Sequence, residues 1–241
     1  MKALIAAAAV FLSTVTAYGF ETDTVSTSQG NLAISCLGHA SLMLSFKGLV
    51  IYVDPVTAQA DYSELPKADI VLITHHHQDH FDTSAINQTR KQGTKIVMTE
   101  KCRELAAVND AKIMENGDSH EIGSMEIQAV PAYNIRHKRP DGTPFHPKGE
   151  GNGYVLTIAD KRIYIAGDTE NIPEMKNLKS IDIAFLPMNL PYTMTPAMAA
   201  NATLMFRPKV VYPYHYGKTN PHKLREELHE EPGIEVRVRR F

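Results

Sequence analysis

The chain has 241 residues, 43% hydrophobic and 22% charged, a size and balance that fit one globular domain with a core of its own. Its formal net charge of −2 supplies no basic surplus, so no nucleic-acid partner is expected. No repeat, low-complexity tract or linker divides it.

Lys2 precedes an apolar run over 3–12, followed by small and polar residues to Gly19, the order of a secretory signal peptide. Residues 1–19 are therefore expected to be removed on export, and 20–241 to form a single domain that is periplasmic or secreted. Cleavage before Phe20 or before Tyr18 fits the small residues flanking each. The apolar run is too short to stay as a permanent membrane anchor. Cys36 and Cys102 fall within apolar patterns and are expected as two buried small hydrophobes, not a disulfide.

Strands are predicted over 32–37 and 41–46, with Lys47-Gly48 turning the chain into a third over 49–53. His39 and Asp54 stand at the ends of these strands. The run Ile70-Val71-Leu72-Ile73 has no polar alternation and reads as a strand buried on both faces. It leads directly into Thr74-His75-His76-His77-Gln78-Asp79-His80. His75 and His77 are two apart, so extended backbone sends both to one side, while Asp79 and His80 come from the turn that follows. His76 is expected to point away.

A helix opens near 81–84 with Asp82 or Thr83 as its cap, then come a strand over 95–98, a helix over 100–108 and a strand over 125–130. From Pro131 to Gly151 regular patterning stops, and a loop this long in a compact domain is expected to serve the site. It carries His137 and His146, and its cations Arg136, Lys138, Arg139 and Lys148 suggest an anionic small-molecule substrate. A hairpin over 153–166 ends at Gly167-Asp168-Thr169. A buried strand over 181–187, a helix from Thr195-Pro196 to Phe206, a strand over 210–214 delivering His215, a helix over 221–230 and a strand over 234–238 complete the chain. The basic run Arg237 to Arg240 reads as the solvated face of an edge strand.

Every candidate ligand thus follows a strand: His75, His77, Asp79, His80, Asp168 and His215. Imidazole and carboxylate together suit zinc, manganese or iron. Six ligands exceed one tetrahedral site and suit two cations bridged by a carboxylate.

The signature His75-x-His77-x-Asp79-His80, then Gly167-Asp168-Thr169, then a late His215, resembles the metallo-β-lactamase-fold hydrolase superfamily. Leu37-Gly38-His39-Ala40-Ser41, Val53-Asp54-Pro55 and Tyr214-His215-Tyr216-Gly217 are similar to its branch containing ascorbate-6-phosphate lactonases and N-acyl-phosphatidylethanolamine phospholipase D. The resemblance covers about 32–218 and implies an α/β, four-layer αββα sandwich with a dinuclear site, most often of zinc, at one edge. It implies that His75 and His77 bind the first metal, that Asp79, His80 and His215 bind the second, and that Asp168 bridges. The third histidine of the first metal is read as His146, with His137 the alternative. Asp54 is expected to orient a ligating imidazole. Asp79, Asp168 and His39 are the candidate catalytic groups, and Tyr192, Tyr214 and Tyr216 the candidate substrate contacts. The activity implied is hydrolysis of an ester, lactone or phosphodiester by a hydroxide held on the metals. The rivals are an iron-dependent oxidoreductase on the same scaffold and a non-catalytic metal-binding protein.

Overall fold

A computed structural model describes residues 12–15, 19–106, 108 and 110–241. Most of the expected signal peptide lies outside these residues. Within it, Leu12–Val15 form strand β1.

Two sheets make the frame. The first, of eight strands, runs in chain order: β1, β2 (Glu21–Thr27), β3 (Gly30–Gly38), β4 (Ser41–Phe46), β5 (Leu49–Val53), β6 (Ile70–Leu72), β7 (Lys95–Met98) and β8 (Lys112–Ile113). The second, of seven, runs from β9 (Ser119–Ile122) through β10 (Met125–Ala132), β11 (Gly151–Ile158), β12 (Lys161–Ile165), β13 (Ile183–Pro187) and β14 (Val210–Tyr214) to β15 (Glu235–Val236). Each opens as an antiparallel meander and closes as parallel strands, from β5 onward in the first and from β12 onward in the second. The chain therefore repeats one plan.

The apolar runs explain the layering. In β5 and β6, Ile51, Val53, Ile70 and Leu72 face the space between the sheets, while Tyr52 and Val71 face outward. Both faces are buried, so the strands lack polar alternation. From the other sheet Ile127, Leu156, Ile165, Phe185 and Tyr212 fill the same central layer. Each such side chain contributes roughly 1.5–3 kcal/mol through burial. Helices α1 (Thr83–Thr89) and α2 (Glu100–Ala106) cover the outer face of the first sheet through Ala85, Ile86 and Cys102. Helices α3 (Pro196–Phe206) and α4 (His222–Glu227), with a 3₁₀ turn at Pro173–Asn177, cover the second through Met175, Ala199, Phe206 and Leu224. The sequence therefore folds as the expected αββα sandwich. Asp82 caps α1, accepting from the Ser84 and Ala85 amides, and Thr195 caps α3 ahead of Pro196.

Cys36 lies in the central layer and Cys102 on the outer face of the same sheet, both as free thiols, and burial raises the pKa of each. The basic C-terminal run departs from expectation. Arg237 is 5% exposed; its guanidinium, with that of Arg239, holds the buried Asp23 carboxylate, which also accepts from the Tyr212 hydroxyl. These charges tie the chain's end to β2 across the two sheets, where a strand face open to solvent was expected. The strand itself is short, stopping at Val236.

Parallel strands aligned in this way end at one rim. Asp54 follows β5, His75 follows β6, Gly167-Asp168 follows β12 and His215 follows β14. Binding sites of layered α/β folds form at this carboxyl rim.

Candidate metal centre

The rim is stitched together by backbone hydrogen bonds between the sheets. The His215 amide donates to the His39 carbonyl at 2.8 Å, and the Asn152 amide to the Thr74 carbonyl at 2.9 Å. Gly167, at φ +62, has no room for a side chain. A Cβ there would lie 2.8 Å from the Asn152 carbonyl oxygen and 3.2 Å from the Thr74 Cβ. Only glycine lets Asp168 approach the histidines this closely. His39, Asp54 and His215 also have positive φ, between 44° and 52°. Each such conformation costs on the order of 1–3 kcal/mol, and the rest of the fold holds it.

Three imidazoles are oriented through their Nδ1 atoms. Asp54, fully buried, accepts from the Thr74 amide at 2.8 Å, the Thr74 hydroxyl at 2.7 Å and His80 Nδ1 at 2.7 Å. The Thr74 oxygen, its proton given to Asp54, accepts from His75 Nδ1 at 3.0 Å. Asn134 orients the third: its amide nitrogen donates to the Glu170 carboxylate and the Tyr192 carbonyl. Its oxygen is therefore left to accept from His146 Nδ1 at 2.6 Å. In each ring Nε2 is thereby turned toward the centre, the orientation a metal ligand needs.

The ligand atoms form three overlapping groups, each with all atoms within 4.8 Å of one another: His75, His77 and His146; His75, His80 and Asp168; and His39, Asp79, His80 and His215. His75 Nε2 and His77 Nδ1 are 3.1 Å apart, close to the ~3.3 Å that tetrahedral bonds of ~2.0–2.1 Å imply. Asp168 lies between the groups, one oxygen 3.1 Å from His146 Nε2 and the other 3.3 Å from His80 Nε2. His80 Nε2, Asp168 Oδ1 and His215 Nδ1 are buried without a hydrogen-bond partner. Buried polar atoms are rarely left so, and a bound cation would satisfy the first two. The donor set fits a divalent metal.

The electrostatics divide the cluster. Burial and the neighbouring His80 hold the His75 imidazole well below its ordinary range, and burial with His146 brings His77 to about 4. Burial works against a charge on His80 too, yet Asp168 and Asp54 outweigh it and hold that imidazole well above the ordinary range. Burial opposes charge on Asp168 and Asp79, but the surrounding imidazoles keep both carboxyls below the carboxylate range.

The structure thus brings together His39, Asp54, His75, His77, Asp79, His80, His146, Asp168 and His215. His76 has its Nδ1 buried and unpartnered, outside those groups. His137, the alternative to His146, faces Glu170 instead, with Nδ1 2.9 Å from its carboxylate. Two of the three tyrosines lie away from the cavity. Tyr214 is fully buried in the central layer, because its position in β14 turns it inward, and its hydroxyl is buried without a partner near Asp168. The Tyr216 hydroxyl donates to the Arg239 carbonyl and packs with the C-terminus. Tyr192 does line the cavity over the centre, which encloses about 340 Å³ with His77, Asp79, Arg139, Phe145, His146, Asp168 and His215.

Asn134 and Glu170 escaped the sequence reading. Glu170 is 1% exposed and accepts from the Ile135, Arg136 and His137 amides and from Asn134, bonds that outweigh its burial and keep it ionised. It fixes the loop over 133–150 and, through Asn134, aims His146. Its one signal was an acid two positions after Asp168.

A family model described as a beta-lactamase superfamily domain matches residues 33–215. The chain belongs to this family. The match spans the rim from β3 to the last histidine of the cluster. Among relatives of the superfamily, a UPF0173 metal-dependent hydrolase of Nanoarchaeum equitans is 31% identical over 218 residues, 86% of this chain and 96% of its own. A crystal structure from Parabacteroides distasonis, provisionally described as a metal-dependent hydrolase, aligns over 91% of this chain and 98% of its own, at 49% identity and a TM-score of 0.86. The metallo hydrolase Igni18 of Ignicoccus hospitalis aligns over 87% and 95% at 25% identity, with a TM-score of 0.72.

Proposed function

We propose that this metal-dependent hydrolase holds two divalent cations, most readily zinc, with Asp168 placed to contact both. The observation that carries this reading is the place of Asp168, in contact with His146 on one side and His80 on the other, with a buried oxygen left unbonded. His75, His77 and His146 would hold one cation; Asp79, His80 and His215 the other. Two such cations supply Lewis acidity and make water acidic enough to attack near neutral pH.

The chain's own groups then have distinct tasks. Asp54 and Asn134 keep Nδ1 of His80 and His146 protonated, so each ring presents Nε2. Asp79 has a half-exposed side chain at the cavity floor, where Oδ2 accepts from His39 at 3.0 Å and lies 3.3 Å from His215 Nε2. Held ionised by these imidazoles, Asp79 is placed to orient the attacking water by accepting its hydrogen bond, with His39 stabilising the carboxylate charge. A cavity of about 340 Å³ takes a small molecule, and the bond attacked is an ester, lactone or phosphodiester.

The test is metal analysis of protein purified without chelator, together with hydrolysis of bis(p-nitrophenyl) phosphate and a lactone panel. Close to two zinc or manganese ions per chain, with activity lost in His77→Ala, supports the reading. Absence of stoichiometric metal overturns it. Two irons and a visible absorption band would favour the oxidoreductase.

Export is part of the same proposal. Strand β1 is the terminal strand of its sheet, so cleavage before Phe20 removes it without breaking an interior pairing. N-terminal sequencing of protein from the periplasm or medium tests this, and an intact Met1 there would refute it.

A further inference from the structure

The loop over 133–150 carries four cations besides its histidines, and they are not equivalent. Lys148 is committed to Glu174 at 2.7 Å and sits over the Tyr133 ring. Arg136 and Lys138 do not line the cavity; Arg139 does. Its amide donates to the Thr143 carbonyl at 2.7 Å, and its carbonyl accepts from Gly142, so a tight turn fixes its backbone. Its guanidinium stacks over the Phe145 ring at 5.4 Å and gives one N–H to the Phe145 carbonyl at 3.3 Å. The acid of the same turn, Asp141, is bound by the Thr143 amide and hydroxyl. Among the described residues no carboxylate forms an ion pair with Arg139. Arg139 is exposed, and apart from that one N–H and the attraction of Asp141 its planar five-donor fork is left free at the wall.

The neighbouring wall is aromatic. Phe145 and Tyr192 meet edge to face, centroids 5.0 Å apart, and Tyr192 remains 44% exposed. Both are anchored to the centre: the Tyr192 carbonyl accepts from Asn134, and Phe145 directly precedes His146. An aromatic corner thus lies beside the reacting groups, with a cation at its edge.

We propose that Arg139 is a specificity residue that binds an oxyanion carried by the substrate away from the bond that breaks, with the apolar body between lying against Phe145 and Tyr192. This rests on the hydrolase reading for its substrate and on the wall's geometry for its chemistry. The preferred substrate is then a small ester with a planar or apolar body and a distal carboxylate or phosphate. A bidentate guanidinium contact also orients the molecule, so the charge acts on the choice of substrate and not on the chemistry of the bond.

The experiment compares 4-acetoxybenzoate with its neutral methyl ester, two substrates that share the scissile acetyl ester and differ in a distal charge. The zinc-loaded full chain and its Arg139→Gln and Arg139→Lys variants are used. The ratio of kcat/KM, charged over neutral, is expected to fall on the order of ten- to a hundredfold in Arg139→Gln, the scale of one lost charge-assisted contact. Arg139→Lys should keep part of that ratio, since a point charge replaces the fork. An equal ratio in wild type and Arg139→Gln overturns the proposal. Calorimetric titration with 4-hydroxybenzoate provides a readout without turnover. If neither ester is cleaved, the hydrolase reading fails for esters, while a Kd raised about tenfold or more in Arg139→Gln still supports the anion site. Binding that does not depend on Arg139, or no binding, overturns it.

Discussion

His80 and His146 face Asp168 from opposite sides, each presenting Nε2, but different parts of the chain aim them. Behind His80 stands Asp54, a carboxylate fixed at the end of β5 in the layered frame. Behind His146 stands Asn134, a neutral amide on a long loop, held by the Glu170 carboxylate. The geometry is alike and the electrostatics are not. A carboxylate behind an imidazole stabilises its cationic form and raises its donor strength, whereas an amide fixes the tautomer without adding charge. One side of the centre is rigid and proton-retaining; the other is loop-borne and neutral.

The largest effect should follow from removing what the two sides share. Asp168→Ala is expected to reduce turnover on the order of a thousandfold, the size of losing a central electrostatic group, and to lower metal content on both sides. Loss from one side alone, by metal analysis, would break the symmetry assumed for Asp168.

Asp54→Asn keeps the shape behind His80 and removes its charge. Metal affinity on that side should fall about 10- to 100-fold, the usual cost of disturbing such a partner, with the His75–His77–His146 side unchanged in a stepwise zinc titration. Asn134→Asp is the converse. A carboxylate behind His146 should tighten that side and make its loading depend on pH as the His80 side does.

That pH dependence has a defined sign. His80 is held above its ordinary range, so in the metal-free protein it keeps a proton at neutral pH that a metal must displace. Affinity on its side therefore rises with pH and weakens as pH falls below the His80 value. His77, near 4, and His75, held well below its ordinary range, are already neutral and release no proton near pH 7. Calorimetry of zinc binding in buffers of different ionisation enthalpy should report about one proton released from the His80 side, and fewer in Asp54→Asn, where Asp168 alone still favours the imidazolium.

How much of this the sequence revealed depends on how local each determinant is. The run from Ile70 to Ile73 announced a strand buried on both faces, and Ile70 and Leu72 face in while Val71 faces out. The caps Asp82 and Thr195 act within three residues of themselves and were legible for that reason. Strand β2 was not. Its acidic and hydroxyl residues look solvated, and Asp23 is buried only because Arg237 and Arg239 arrive from the far end of the chain. Tyr214 could not be told from a substrate contact until the register of β14 turned it inward. The pairing of Asn134 with His146 likewise depends on how a loop folds back on itself, which no periodicity encodes.

The smallest expected effect concerns that loop. His137 and His146 are both available to complete the first cluster, and the structure separates them by what lies behind each. The His137 amide donates to Glu170 at 2.6 Å, a bond that survives substitution of the side chain, while the imidazole only adds a second contact to the same carboxylate. That carboxylate keeps its bonds to Ile135, Arg136 and Asn134 in any case. His137→Ala should therefore leave metal content unchanged and cost about 1 kcal/mol of stability or less, the range of one lost side-chain contact. His146→Ala removes a ligand atom that sits 3.1 Å from Asp168 and should bring metal content towards one per chain. If the two variants exchange these outcomes, the loop rearranges when metal binds. The neutral side of the centre would then be assembled by its cation, while the Asp54 side is built in advance by the sheets.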